Sequence, residues 1–211
     1  MTDRRDFLTT TSLATAAAWL APEIAFAQGV TNIVELTGDV LVNGRRLAPD
    51  GLIQTGDRIA SGPGSTLGFT INRDAFLVRP NSELTITRGN SLFVIDGVRM
   101  ITGGLLSVFG RSARPRQVAA PTVTAGIRGT GFYVETRPDA TYFCTCFGTI
   151  DLAAHSGDRE TITSEKHQAR RVLAQSGGGR TIVTAPFENH DDAELLRLAS
   201  LVGQRPAAYA R

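Results

Sequence analysis

Residues 125–135 read AGIRGTGFYVE. Gly126, Gly129 and Gly131 permit backbone angles that residues with side chains avoid. Arg128 sits among them with a rigid five-donor fork. Thr130, Phe132 and Val134 then alternate with Gly131, Tyr133 and Glu135, the two-residue period of a strand. The stretch predicts a tight bend, formed by Gly126, Arg128, Gly129, Thr130 and Gly131, that feeds a strand. Arg128 has two readings. In one, its fork braces the bend against backbone carbonyls or a core carboxylate such as Glu83 or Glu135. In the other, it grips an anionic ligand in a glycine nest. A tight glycine-rich bend favours the brace.

Working outward, residues 30–152 read as serial short strands. Ile33–Val42 alternates and meets Asn43-Gly44, a type I′ hairpin signal. Leu67–Ile71 and Ala75–Val78 are strands joined by Asn72-Arg73-Asp74. Leu84–Thr87, Leu92–Ile95, Val98–Ile101 and Leu105–Phe109 follow, separated by turn signals at Gly89-Asn90, Asp96-Gly97 and Gly103-Gly104. Tyr142–Leu152 is the last clear strand of this region. Such close spacing predicts an all-β fold, a sandwich, roll or short β-solenoid of many short strands. Further on, Glu165–Ala174 suits strand or helix, and Thr181–Thr184 a short strand. One C-terminal α-helix is expected over about 191–203. Asp191 and Glu194 make a capping box, Leu195, Leu198, Ala199 and Val202 share a face, and Gly203 ends it. The tail from Arg205 is expected to fray.

An ordered series of motifs surrounds the glycine-rich run: LTGDVLVNG at 36–44, QTGDRI at 54–59, LVRPNSELTI at 77–86, GGLLSVFGR at 103–111 and PTVTAGIRGT at 121–130. Together they resemble the FecR family, periplasmic domains of iron-siderophore signalling, over roughly residues 30–152. The resemblance implies sensing, relay or scaffolding, and no enzymatic chemistry. The best-known members place a cytoplasmic anti-sigma segment and a transmembrane helix before this domain. This chain has neither, so direct relay to a sigma factor is not expected of it.

The N-terminus explains how such a domain would reach the periplasm. Asp3-Arg4-Arg5-Asp6-Phe7-Leu8 resembles a twin-arginine export signal, a reading taken over an ordinary Sec signal that carries Arg-Arg. Residues 7–21 are mildly apolar and Ala25-Phe26-Ala27 fits a cleavage site. The expected organisation is a signal peptide at 1–27, a FecR-like β domain at 28–155 and a C-terminal extension at 156–211. Without Arg4, Arg5, Asp3, Asp6 and Glu23 the chain keeps 20 basic and 17 acidic residues, a net charge of +3. That near-neutral balance, with no basic face interleaved with aromatics, argues against nucleic acid. Arg111-Ser-Ala-Arg114-Pro-Arg116 is a local exception that suits an acidic partner or anionic headgroups. As an isolated charge run it reads first as a solvated loop.

Cys144 and Cys146 are the only cysteines. On an extended strand, residues two apart share a face with Cα atoms about 6.5–7 Å apart, at the far edge of disulfide range. A strained, reducible disulfide therefore requires a bulge. Two thiolates on one face also suit a soft metal, zinc or copper(I), and inert buried thiols are the third reading. The three histidines, His155, His167 and His190, all lie downstream. His167 and His190 are the first choices as co-ligands, with Asp191 and Asp192 placed to orient His190. His155, beside Ser156-Gly157, looks like part of a turn.

No GxSxG elbow, HExxH, P-loop or dinucleotide fingerprint is present, so no catalytic residue is assigned. The expected function is non-catalytic: an exported periplasmic protein that binds a ligand or envelope partner in sensing, regulation or scaffolding. The alternative is a metal-binding or redox protein using Cys144, Cys146, His167 and His190.

Overall fold

A computed structural model describes residues 31–175 and 177–209; the signal-peptide reading lies outside them. Fourteen strands run in chain order as β1 (Ile33–Thr37), β2 (Val40–Val42), β3 (Arg45–Arg46), β4 (Arg58–Ser61), β5 (Thr66–Ile71), β6 (Asp74–Val78) and β7 (Glu83–Arg88), then β8 (Ile95–Phe109), β9 (Arg116–Ala119), β10 (Val123–Thr136), β11 (Ala140–Ala154), β12 (Arg159–Ser164), β13 (Gln168–Leu173) and β14 (Ile182–Ala185). Helix α1 (Asp192–Leu201) and a short 3-10 turn at Ala207–Tyr209 close the described chain. The fold is all-β with one C-terminal helix, as the turn spacing predicts. No helix among the described residues is long and apolar enough to cross a membrane.

The strands form one mixed sheet. Its spine is β8, β10 and β11, each longer than expected and each changing partner part-way. The first half of β8 pairs with β7 and, in parallel, with β9; its second half pairs with β6 and β10. β11 likewise pairs first with β13 and then with β12. The Asn43-Gly44 hairpin forms as read, both residues at positive φ (52° and 78°).

The bend expected over Gly126, Arg128, Gly129, Thr130 and Gly131 is a bulged stretch inside β10, because the chain stays paired with β11 on either side of it. Two further expected turns are absent. Asp96-Gly97 and Gly103-Gly104 lie inside β8. At Gly97 the glycine serves close approach, because a Cβ there would sit 1.8 Å from the Gln117 carbonyl oxygen on the neighbouring β9. Sequence alone cannot separate a glycine that turns a chain from one that lets another backbone in.

The alternation in the spine strands serves two cores. Phe76, Phe109, Phe132 and Phe143 face the main interior, where with Phe69 they form a run of ring contacts with centroids 4.8–5.6 Å apart. Such pairs contribute about 0.5–1.5 kcal/mol each beyond area burial. Residues of the opposite parity, among them Ala75, Leu77, Leu106, Val108, Tyr133, Tyr142, Cys144 and Cys146, face outward. They are buried because α1 lies on them through Leu195, Leu198 and Ala199. The sheet region that carries both cysteines is thus covered on both faces.

Helix α1 starts as its sequence predicts. The Asp191 side chain accepts from the Glu194 N–H at 2.8 Å and Glu194 accepts from the Asp191 N–H. Glu194 also takes both arms of Arg79, which reaches it from the end of β6. That pairing holds the Glu194 carboxyl below its ordinary range despite partial burial. A lowered carboxylate pKa stabilises the folded state above its unfolded value, and the stabilisation is lost as pH falls through the folded value. Helix docking is therefore expected to weaken below about pH 4, and less steeply in Glu194→Gln. Removing the cap by Asp191→Ala is expected to cost about 1 kcal/mol. Circular dichroism across an acid titration checks the first expectation and urea melts the second.

Candidate metal centre

Cys144, Cys146, His167 and His190 meet at one point, each offering a ligand atom within 4.8 Å of the others. Three local features bring them there. Along β11 the register slips opposite Gly131 and Phe132, so Cys146 falls at a bulge with no direct partner on β10. Gly131 allows it: a Cβ at that position would lie 2.3 Å from the Phe147 ring. His167 sits in the turn between β12 and β13 at φ 41°, and its N–H donates to the Cys146 carbonyl (3.1 Å). His190 immediately precedes the N-cap of α1.

The geometry suits a closed tetrahedral ion. Cys146 Sγ lies 3.3 Å from His190 Nε2, and Cys144 Sγ lies 3.7 Å from His167 Nδ1. Zinc bonds of about 2.3 Å to sulfur and 2.0–2.1 Å to nitrogen imply ligand–ligand separations of about 3.3–3.8 Å. The widest pair need close by only about 1 Å to match.

The outward ring nitrogens are also engaged. His167 Nε2 donates to Asp192 at 2.6 Å, and His190 Nδ1 donates to the Glu188 carbonyl at 2.8 Å. This leaves His167 Nδ1 and His190 Nε2 facing the thiols as acceptors. A carboxylate or carbonyl on the far nitrogen is the usual support of a metal-bound imidazole.

The site is sealed. Both cysteines are fully buried and His190 is 7% exposed. Tyr133 stacks on His190, Phe187 packs on both histidines, and Tyr209 donates to the Cys146 carbonyl from the last turn. The tail expected to fray instead forms part of the wall. Hydrogen bonding from Cys146, against burial and with help from both histidines, holds Cys144 well below the ordinary thiol range. Burial pushes Cys146 the other way. Burial opposes charging of His167, but its bonds to Cys144 and Asp192 outweigh that and raise its pKa. The four side chains thus form one electrostatically coupled group. An added divalent cation would displace protons from it.

Two crystal structures of a candidate anti-sigma factor from Parabacteroides distasonis share the fold. One superposes with a TM-score of 0.51 at 16% identity, covering 69% of this chain and 65% of that one. The other gives 0.52 at 14% identity, covering 72% and 66%. The chain thus spans slightly under two thirds of the length of those proteins. No family model and no curated protein matches the sequence.

The remaining sequence-derived candidates fall elsewhere. His155 lies apart from the cluster, its ring nitrogen 3.0 Å from the Pro121 carbonyl. Asp192 orients His167, while Asp191 caps the helix and His190 is held by backbone; the expected pairing of both acids with His190 does not occur.

Arg128 is not a brace. Its side chain is 73% exposed and pairs with Asp151 at 2.9 Å. Glu83 is taken by Arg58, and Glu135 by Arg137, Tyr133 and Asn189. Gly126 and Gly129 lie beside Arg128 on the surface, whereas Thr130 and Gly131 turn inward. The buried brace is Arg116, read from sequence as part of a solvated loop. It is 6% exposed, holds both oxygens of Asp74 at 2.7 and 2.8 Å, and lies over the Phe109 ring.

Proposed function

We propose that this protein is a non-catalytic regulatory domain of FecR type, exported to the periplasm, whose C-terminal segment is pinned to its sheet by one zinc ion. Cys144, Cys146, His167 and His190 are the ligands. The observation that carries this reading is the convergence of four metal-binding side chains in a sealed pocket, each histidine supported on its far nitrogen. Two thiolates and two imidazoles with no open position are a structural, not a catalytic, set. Zinc is favoured over copper(I), which prefers sulfur-richer ligation. The fold shared with candidate anti-sigma factors supports a regulatory role through a protein partner. The twin-arginine-like leader supports export, a route that carries a chain already folded around its metal.

Elemental analysis of the protein, expressed with its own leader and recovered from the periplasm, tests the metal and the location together. One zinc per chain is expected. No stoichiometric metal, with both thiols titrating freely after unfolding, would sink the metal reading; retention in the cytosol would remove the export. The Asp192–His167 bond gives a graded check. Asp192→Asn is expected to weaken zinc about 10- to 100-fold in a chelator competition, with the fold intact.

A further inference from the structure

The glycine-rich run of 125–131 and the arginine-rich loop of 111–116 are far apart in role at sequence level, yet they face each other across one cleft. It has a volume of about 540 Å3 and is lined by four arginines, 111, 114, 116 and 128, against a single carboxylate, Asp151. The loop from β8 to β9 forms one wall and the bulge at 128–131 of β10 the other. Gly129, at φ 64°, brings them together: a Cβ there would lie 3.1 Å from the Arg111 Cγ.

The four arginines differ in their engagements. Arg116 is consumed by Asp74, and Arg128 is shared with Asp151 through two nitrogens at 2.9 and 3.1 Å. Arg111 and Arg114 are exposed, and among the described residues no carboxylate pairs with either. Other described arginines, such as Arg45, Arg99 and Arg159, also have no carboxylate within ion-pair distance; Arg111 and Arg114 differ in lying together on one cleft beside Arg128. Two unpaired guanidiniums on the rim of a concave site, with a third held by a displaceable carboxylate at its floor, leave a local excess of positive charge. Planar forks match the oxygens of carboxylate and phosphate in pairs. The volume suits a small molecule.

We infer that this cleft binds a small multivalent anion bearing carboxylate or phosphate groups, held by Arg111, Arg114 and Arg128. Asp151 acts as an internal competitor: it occupies Arg128 in the free protein and is displaced when the ligand binds. The site shares no residue with the cysteine–histidine cluster.

Amide NMR of the metal-loaded mature protein, titrated with inorganic phosphate and separately with citrate at low ionic strength, tests this. Saturable shifts confined to residues 110–117 and 126–129 are expected, with citrate binding more tightly and salt weakening both. Arg111→Ala/Arg114→Ala changes only exposed side chains and is expected to weaken citrate about tenfold or more. Asp151→Asn, which frees Arg128, is expected to tighten it several-fold. Unsaturable shifts, shifts spread over all surface arginines, or equal affinity in the double-alanine variant would each overturn the assignment. Tighter phosphate than citrate binding would place phosphate esters ahead of polycarboxylates within it.

Discussion

Mature protein carrying Cys144→Ser and Cys146→Ser is expected to lose the proposed zinc and, with it, the docking of residues 187–209, while the sheet persists. Two ligands come from β11, one from the β12–β13 turn and one from the entry to α1. An ion held there would tie the helix to the sheet as well as strand to strand. Binding of an ion to the native state alone adds its full binding free energy to stability. Zinc-finger peptides show apparent values of about 10–16 kcal/mol.

Here other contacts also hold the helix: Leu195, Leu198 and Ala199 are fully buried, and Arg79–Glu194 and Arg197–Glu35 bridge to the sheet. We expect a loss of about 5 kcal/mol or more, hence a Tm lower by roughly 10–20 °C. Limited proteolysis should cut the variant between the end of β14 and the start of α1, near residues 186–191, and leave the sheet protected. A chelator should reproduce the loss in the wild type and do nothing to the variant. If chelation leaves the wild-type Tm unchanged, the metal is not a structural pin, whatever the variant does.

The second large effect lies where the start of β6 meets the end of β8. Asp74→Ala should cost about 3–5 kcal/mol, because it strands the Arg116 guanidinium in the interior. Asp74 accepts twice from Arg116 and once from the Gly110 N–H (2.8 Å), so its loss also frees the loop that follows β8. Burial is the largest influence on Asp74 and raises its carboxyl despite the facing arginine. Its ionised form is thus carried at a cost, and stability should rise slightly as pH falls through its folded value. The double variant Asp74→Leu/Arg116→Met should recover much of the loss, since a buried pair replaced by apolar side chains is often neutral or better. Urea denaturation of Asp74→Leu, Arg116→Met and the double gives the coupling energy. A double variant as unstable as Asp74→Ala alone would show that the pair is needed for more than mutual neutralisation.

How much of this was legible beforehand depended on range. Local chemistry read well. Asn43-Gly44 turned as a hairpin, Asp191 and Glu194 capped a helix, and alternation from Leu67 to Val78 gave two strands. The choice of ligands rested on residue type and order, and the structure brings the same four residues together. Their convergence could not be read, because it depends on a bulge at Cys146 and on pairings across 23 to 44 residues. The two arginines were read in reversed roles for a related reason. An arginine is buried where a distant acid receives it, and Asp74 lies 42 residues before Arg116. Glycines misled where they admit a neighbouring backbone, as Gly97 admits Gln117, instead of turning their own.

The wide sequence separation of the four ligands also bears on the order of folding. Long-range strand pairing is slow, since chain closure must precede any contact it allows. The cysteines become neighbours as soon as β11 extends, but His167 requires β13 to pair with it, and His190 requires the helix to settle on the finished sheet. A metal ion meeting the chain early finds only two thiols; the complete tetrad exists only after the last segment has come home. Tight coordination would then serve as a timer, distinguishing finished molecules from those still in assembly.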